Sequence, residues 1–155
     1  MKRIMTAVLL SAVVAVPAFA ADTPFYAGLQ VGDGYIGGFG GYQIDTMFSA
    51  EAHYFNYDTV VTAPGKTNNA SSIGVAGVAV FPLNIQQVPQ LSVFAKVGME
   101  RISEKLTDPY VTNTRTKLTV SGGAQYDFNK NMAARLGISV AGYKNDLFAA
   151  GIYKF

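Results

Sequence analysis

The chain has 155 residues, of which 50% are hydrophobic and 14% are charged, with 16 glycines, no cysteine and a formal net charge of +2. Soluble domains usually carry about a quarter charged residues, so this composition indicates that something other than water surrounds much of the molecule. The lack of cysteine excludes a disulfide-stapled domain and argues against a lipoprotein.

Residues 1–20 have the pattern of a cleaved secretory signal. Lys2 and Arg3 form a positive start, residues 4–16 are apolar, and residues 18–20 form a small-x-small cleavage site. The apolar run is shorter than the ~20 residues that a spanning helix needs. We therefore predict a mature domain of residues 21–155. Loss of Lys2 and Arg3 leaves ten basic against ten acidic residues, so the mature chain lacks the basic surface of a nucleic-acid-binding protein.

Eight segments of about ten residues follow the leader, each with alternating side chains and each bounded by turn residues. We predict strands at 24–32, 35–44, 47–57, 71–82, 90–102, 115–127, 132–142 and 147–155. In the fifth segment Leu91, Val93, Ala95, Val97 and Met99 share one face, opposite Ser92, Lys96 and Glu100. The first, second, fourth and eighth segments carry glycine or alanine on both faces, so their register is not predicted.

Soluble half-buried sheets also alternate, but two features favour lipid on the apolar side. The polar faces contain mainly Ser, Thr, Gln and Gly, whereas the outer face of a soluble sheet is rich in Lys and Glu. Aromatic residues of the apolar phase cluster where strands meet one set of turns: Phe48, Phe81, Tyr126, Phe128, Tyr153 and Phe155. Such a girdle is typical of a bilayer interface.

The connections alternate in length, as they do in outer-membrane barrels with short periplasmic turns and longer external loops. One side has tight turns at 44–47 and 129–131 and a longer link at 82–89. The other side has short connections at 33–34 and 143–146 and predicted loops at 58–70 and 103–114. In hydrocarbon every backbone N–H and C=O group must be paired within the protein, and an open sheet has unpaired edges. The strands must therefore close into a barrel. We predict an all-β fold, an eight-stranded antiparallel up-and-down transmembrane β-barrel whose interior is filled by side chains.

Several segments resemble the OmpA-type outer-membrane barrel. Residues 37–44 and 48–54 are similar to its second and third strands, and residues 94–99 to its fifth. Residues 122–126, 134–136 and 151–155 are similar to its sixth, seventh and eighth strands. The resemblance implies a structural protein of the cell outer membrane of a Gram-negative bacterium, with at most weak permeation of small solutes. We expect outer-membrane lipids, periplasmic chaperones and the barrel-assembly machinery as partners, a monomeric state, and no cofactor.

The interior of the OmpA-type barrel carries a charged cluster proposed to gate a narrow path. The resemblance places Glu51, Lys96 and Arg135 in that cluster. The fourth-strand lysine and sixth-strand glutamate of the family correspond here to Val78 and Gln125, so the alternative charge partners of the gate are missing. We therefore expect Glu51 and Arg135 to form a structural interior ion pair, with Lys96 nearby.

The last residue, Phe155, shares its phase with Tyr153. This ending resembles the C-terminal signal that the outer-membrane assembly machinery reads, and recognition of an extended strand by edge pairing suits such a signal. A place in the aromatic girdle is an equally simple role for Phe155, and the two roles are compatible.

Three other functions remain open. A surface adhesin would act through segments 58–70 and 103–114, because loops on a rigid scaffold often hold binding sites. A soluble lipocalin-like carrier would need apolar residues inside the barrel. A lipid-modifying enzyme would need a nucleophile and a base; His53 lies in the inward phase beside Glu51, which leaves a Glu–His pair open, but no matching serine is seen. We expect no enzyme, and one histidine without cysteine predicts no transition-metal site.

Overall fold

The computed structural model describes residues 23–63, 66–107, 110–140 and 145–155. These residues form one closed barrel in which each strand pairs antiparallel with its neighbours in sequence and the first pairs with the last. The strands are β1 (Phe25–Gly32), β2 (Tyr35–Gln43), β3 (Phe48–Ala63), β4 (Lys66–Pro82), β5 (Leu91–Thr107), β6 (Tyr110–Asp127), β7 (Met132–Val140) and β8 (Asp146–Lys154). The predicted eight-stranded antiparallel barrel is confirmed.

The leader at 1–20 and the end of the seventh strand at 141–142 lie outside the described residues, and so does part of the short connection predicted at 143–146. Within the part of the chain that the structure describes, no helix has the length and apolar character needed to cross a membrane.

Alternation along each strand separates a lipid-facing wall from the barrel interior. On β5, Val97 and Met99 are exposed on the outer wall, while Lys96 and Glu100 are buried inside. The glycine-rich strands β1 and β2 obtain their register from the two-residue turn at Asp33 and Gly34, which pairs Gly32 with Tyr35. Gly34 has φ 82, a conformation that glycine adopts freely and that hairpin turns require.

Strand lengths differ strongly around the barrel, and this corrects the predicted loops. β1, β2, β7 and β8 have 8 or 9 residues, whereas β3 to β6 have 16 to 18. The prediction of long loops at 58–70 and 103–114 is wrong, because the β3–β4 ladder continues to Ala63 and Lys66 and the β5–β6 ladder to Thr107 and Tyr110. Valine and threonine recur in both segments and favour strands.

Inward-facing aromatic rings lie directly over glycines of adjacent strands, which fills the narrow interior. A Cβ atom added at Gly28 would collide with the Phe39 ring, and one at Gly41 would collide with the Tyr26 ring. Glycine in a strand interior often marks such a close approach by another group. These rings over glycines therefore close the space that an eight-stranded barrel leaves at its axis.

Gly137→Ala is expected to destabilise the barrel by ~1–3 kcal/mol, the usual cost of overpacking. A Cβ at Gly137 would lie 2.9 Å from Cζ of both Phe94 and Phe148. Gly151 is exposed and its added Cβ would meet nothing within 4 Å, so Gly151→Ala is the matched control and should be close to neutral. Urea unfolding in lipid vesicles measures both variants. Equal effects of the two substitutions would contradict this packing.

Candidate functional site in the barrel interior

A cluster of three charged side chains occupies the middle of the barrel interior. Glu51 of β3, Lys96 of β5 and Arg135 of β7 all point inward and are 3%, 8% and 6% exposed. Glu51 Oε2 lies 2.8 Å from Lys96 Nζ, and Glu51 Oε1 lies 2.5 Å from Arg135 Nη1. The structure thus brings the three predicted residues together, and it shows that Glu51 contacts both cations, not Arg135 alone.

Neutral groups complete the contacts of this cluster. The Tyr26 hydroxyl donates to Glu51 Oε1 at 2.8 Å and also lies 2.8 Å from Ser49 Oγ. Arg135 Nε donates to Gln125 Oε1 at 2.7 Å. Gln125 stands where the resemblance places a glutamate, and it acts here as a neutral acceptor for Arg135. Sequence reasoning missed Tyr26, because the first segment had no assigned inward face.

Aromatic rings also surround the two cations. Lys96 Nζ lies 5.8 Å from the centre of the Phe39 ring, and the Arg135 guanidinium lies 5.2 Å from the centre of the Phe94 ring. Such cation–π contacts favour a cation that has lost its water. A single carboxylate nevertheless serves two cations, so the buried cluster depends on Glu51 more than on either partner.

A second layer lies on the side of the cluster that faces the long hairpins. The His53 ring stacks on Phe55 at 4.7 Å between ring centres, and Phe55 packs edge-on against Tyr35 at 5.2 Å. Tyr57 donates to Glu100 Oε1 at 2.8 Å. This layer covers the charged cluster from the hairpin side.

Two cavities flank the cluster, and no described residue lines both. The cavity on the side of the short turns has a volume of about 160 Å³ and is bounded by Arg135. The cavity on the hairpin side has a volume of about 30 Å³ and is bounded by Lys96. A space of 30 Å³ accommodates only one or two water molecules. Glu51 contacts both Arg135, which bounds the first cavity, and Lys96, which bounds the second, so the charged cluster lies between the two cavities.

His53 Nδ1 is buried and has no hydrogen-bond partner among the described residues, so this atom does not take part in the Glu–His pair left open by the sequence. A nucleophile and base must lie within hydrogen-bond reach of each other. The described residues also contain no group of three or more His, Cys, Asp or Glu side chains that could hold a metal ion.

The predicted girdle residues lie at the turn end of the barrel. Phe48, Phe81, Tyr126 and Phe128 are exposed there on the outer wall. Edge-to-face pairs join Tyr126 to Phe128 at 5.2 Å and Tyr153 to Phe155 at 5.3 Å between ring centres. Phe25 and Tyr42 form a third edge-to-face pair, with 5.2 Å between ring centres. This pair was not predicted from the sequence, because the first two segments had no assigned outer face.

The sequence from residue 6 to 153 matches the family model described as outer membrane protein beta-barrel domain. The chain belongs to this family. No curated protein matches the chain.

Solved outer-membrane barrels share the fold at low sequence identity. Neisserial surface protein A is 19% identical with a TM-score of 0.61, over 88% of this chain and 100% of that one. The N-terminal barrel domain of Pseudomonas aeruginosa OprF is 15% identical with a TM-score of 0.58, over 83% and 93%. Yersinia pestis Ail in a phospholipid nanodisc is 10% identical with a TM-score of 0.53, over 86% and 100%. This outer-membrane barrel therefore has the fold of those proteins.

Proposed function

We propose that this chain is a structural barrel of the cell outer membrane, with at most weak permeation of small solutes. The observation that supports this is the position of Glu51, held between Lys96 and Arg135 at the centre of the lumen. A solute crossing the barrel would have to break both ion pairs and displace the aromatic layer beside them. Side chains of this kind fill an eight-stranded interior, whereas porins with 16 to 18 strands leave an aqueous channel.

The proposed partners follow from the two surfaces of the wall. The exposed apolar side chains of the outer wall suit outer-membrane lipids, and closure of the barrel pairs every strand with a neighbour on each side, so no whole strand edge is left for association, which supports a monomer. Periplasmic chaperones and the barrel-assembly machinery are proposed partners during biogenesis, with Tyr153 and Phe155 in the assembly signal.

Solute uptake by vesicles tests the proposed function. Vesicles that contain refolded residues 21–155 should swell in an isotonic pentose solution at about the same rate as empty vesicles, because the charge cluster closes the lumen. As a control for folding, the unboiled protein should migrate more slowly on a gel than the boiled protein. A trimeric porin is the positive control. Swelling at the porin rate would contradict the proposed closed lumen.

A second candidate function, surface adhesion, is favoured by the unequal strand lengths. Strands β3 to β6 continue past Tyr54, Ile73, Met99 and Leu118, the last outward apolar residues among those whose side chains the structure describes. Beyond that level, in this extension, the outward residues Ser71, Arg101 and Thr116 are polar, which suits water. Among the described residues, residues 110–115 of β6 pair with β5 alone. An open strand edge of this kind can pair with a strand of another protein.

Shortening the β5–β6 hairpin should abolish adhesion if the extension carries it. Glu104 pairs with Asn113 and Ser103 with Thr114, so residues 104–113 can be replaced by an Asn-Gly turn without a change of register. Bacteria that display the parent or the shortened barrel at equal membrane levels are compared for attachment to epithelial cells. Unchanged attachment of the shortened barrel would exclude the extension as the adhesive surface, and no attachment by the parent would exclude adhesion.

A further inference from the structure

The apolar part of the lipid-facing wall is not equally tall around the barrel. On four consecutive strands, β8, β1, β2 and β3, the last outward apolar residue lies six residues from the girdle residue: Leu147 from Tyr153, Val31 from Phe25, Ile36 from Tyr42, and Tyr54 from Phe48. On β4, β5, β6 and β7 the separation is eight residues: Ile73 from Phe81, Met99 from Leu91, Leu118 from Tyr126, and Val140 from Met132. Leu91 and Met132 are not aromatic but lie at the girdle level, because they pair with the girdle residues Tyr126 and Tyr153. We call the first four strands the short wall.

Polar residues follow at once where the short wall ends. Asn145 lies just before β8, two residues ahead of Leu147. Asp33 follows Val31 in the β1–β2 turn, and Asn56 is the next outward residue of β3 after Tyr54; all three are exposed. The β1–β2 turn has only two residues, so no further chain from this hairpin covers the wall above Val31. The hydrocarbon boundary on this side therefore lies at the level of Val31 and Leu147.

Strand geometry converts these separations into heights. Six residues span ~20 Å along a strand and eight span ~26 Å, at about 3.3 Å per residue. Strands of outer-membrane barrels tilt by about 35–45°, so the apolar heights are ~15 Å for the short wall and ~20 Å for the opposite wall. The apolar band of such barrels is typically ~25 Å tall. The difference between the apolar height of the wall and this typical band is therefore largest along the short wall.

We propose that the short wall is fitted to a locally thinned bilayer, in which lipid headgroups descend to the level of Val31 and Leu147. A bilayer of ordinary thickness would bring Asp33 and Asn145 into hydrocarbon, which disfavours polar groups. Thinning of the bilayer around a short apolar wall costs less free energy than burial of these polar side chains in hydrocarbon. The lipids that suit this surface have short or disordered acyl chains. This inference depends on the fold and not on the proposed closed lumen.

Single-cysteine labelling tests the inference, because the natural chain has no cysteine. Val31→Cys and Val97→Cys both place a nitroxide on the outer wall, six residues from the girdle level, but Val97 has the apolar Met99 beyond it. Leu147→Cys on β8 and Val75→Cys on β4, on the opposite side of the barrel, form a second matched pair, because Val75 is also six residues from the girdle level and has the apolar Ile73 beyond it. Depth is measured in dioleoyl phosphatidylcholine vesicles from the collision rates of the label with oxygen and with a neutral nickel complex.

Labels at 31 and 147 should lie ~5 Å closer to the headgroups than labels at 97 and 75, the height of two further residues on a tilted strand. Equal depths within each pair would overturn the proposal. A tilt of the whole barrel is distinguished by Ala27→Cys and Val93→Cys, each two residues from the girdle level. Thinning predicts equal depths at 27 and 93. A deeper label at 27 would show tilt and would also overturn the proposal.

Discussion

Glu51→Gln is expected to destabilise the folded barrel by ~3–5 kcal/mol, the range found when one partner of a buried ion pair is removed. In the unsubstituted protein Glu51 lies within 2.8 Å of both Lys96 and Arg135. The substitution leaves these two cations buried with no carboxylate between them. Like charges in a poorly hydrated interior repel each other and lose the interaction that offset their desolvation. Urea unfolding in lipid vesicles measures the loss of free energy.

Lys96→Met is the matched control for this prediction. It removes one cation of similar length but leaves Glu51 paired with Arg135, which keeps its contact with Gln125. We expect the free energy of unfolding to fall by ~1 kcal/mol or less, because the remaining pair has one negative and one positive charge and a buried pair often contributes little net stability. The double variant Glu51→Gln with Lys96→Met should recover part of the loss, and the double-mutant cycle gives the coupling. Equal costs for the two single variants would mean that water hydrates each charge separately.

Phe155→Ala should strongly reduce the amount of barrel in the outer membrane of cells while changing its stability little. The terminal residue is held by one edge-to-face contact with Tyr153 and by its backbone N–H, which donates to the Phe25 carbonyl oxygen at 3.1 Å. The substitution keeps the backbone bond, so few native contacts are lost. The measurement compares outer-membrane levels in cells with the yield of detergent refolding in vitro.

Phe128→Ala separates an assembly signal from a girdle contact. Phe128 packs on Tyr126 in the same edge-to-face geometry that joins Phe155 to Tyr153, but it lies in a turn and not at the chain end. We expect Phe128→Ala to leave cellular levels close to those of the parent. If both substitutions reduce the cellular level equally, the effect of Phe155 comes from girdle packing and the proposed signal is wrong.

Within the described chain, the eight strands were predictable because segments of about ten residues are bounded by turn residues, and four of them alternate clearly between apolar and polar side chains. Two parts of the fold were not. The sequence at the ends of β3 to β6, within 58–70 and 103–114, is rich in polar residues, so it resembled loops. The register of β1 and β2 depends on the Gly34 turn and on rings such as Phe39 lying over Gly28, contacts that no local pattern encodes.

The charged residues of the site were recognisable from their inward phase and from the resemblance, and Glu51 lies against Arg135, the partner expected from the sequence. The direct contact of Glu51 with Lys96 was not predicted. These two residues lie on strands that are not adjacent, so their contact depends on barrel diameter and strand stagger. Tyr26 and Gln125, which complete the cluster, become evident only in the closed barrel.

Planar-bilayer recording tests the closed lumen most directly. Refolded residues 21–155, and the Lys96→Met variant, should give currents far below those of a porin and indistinguishable from each other, because the cluster and the aromatic layer separate the two cavities. A stable conductance of porin size, or one that rises when Lys96 is replaced, would contradict a structural barrel and would show that the charge cluster controls a pore.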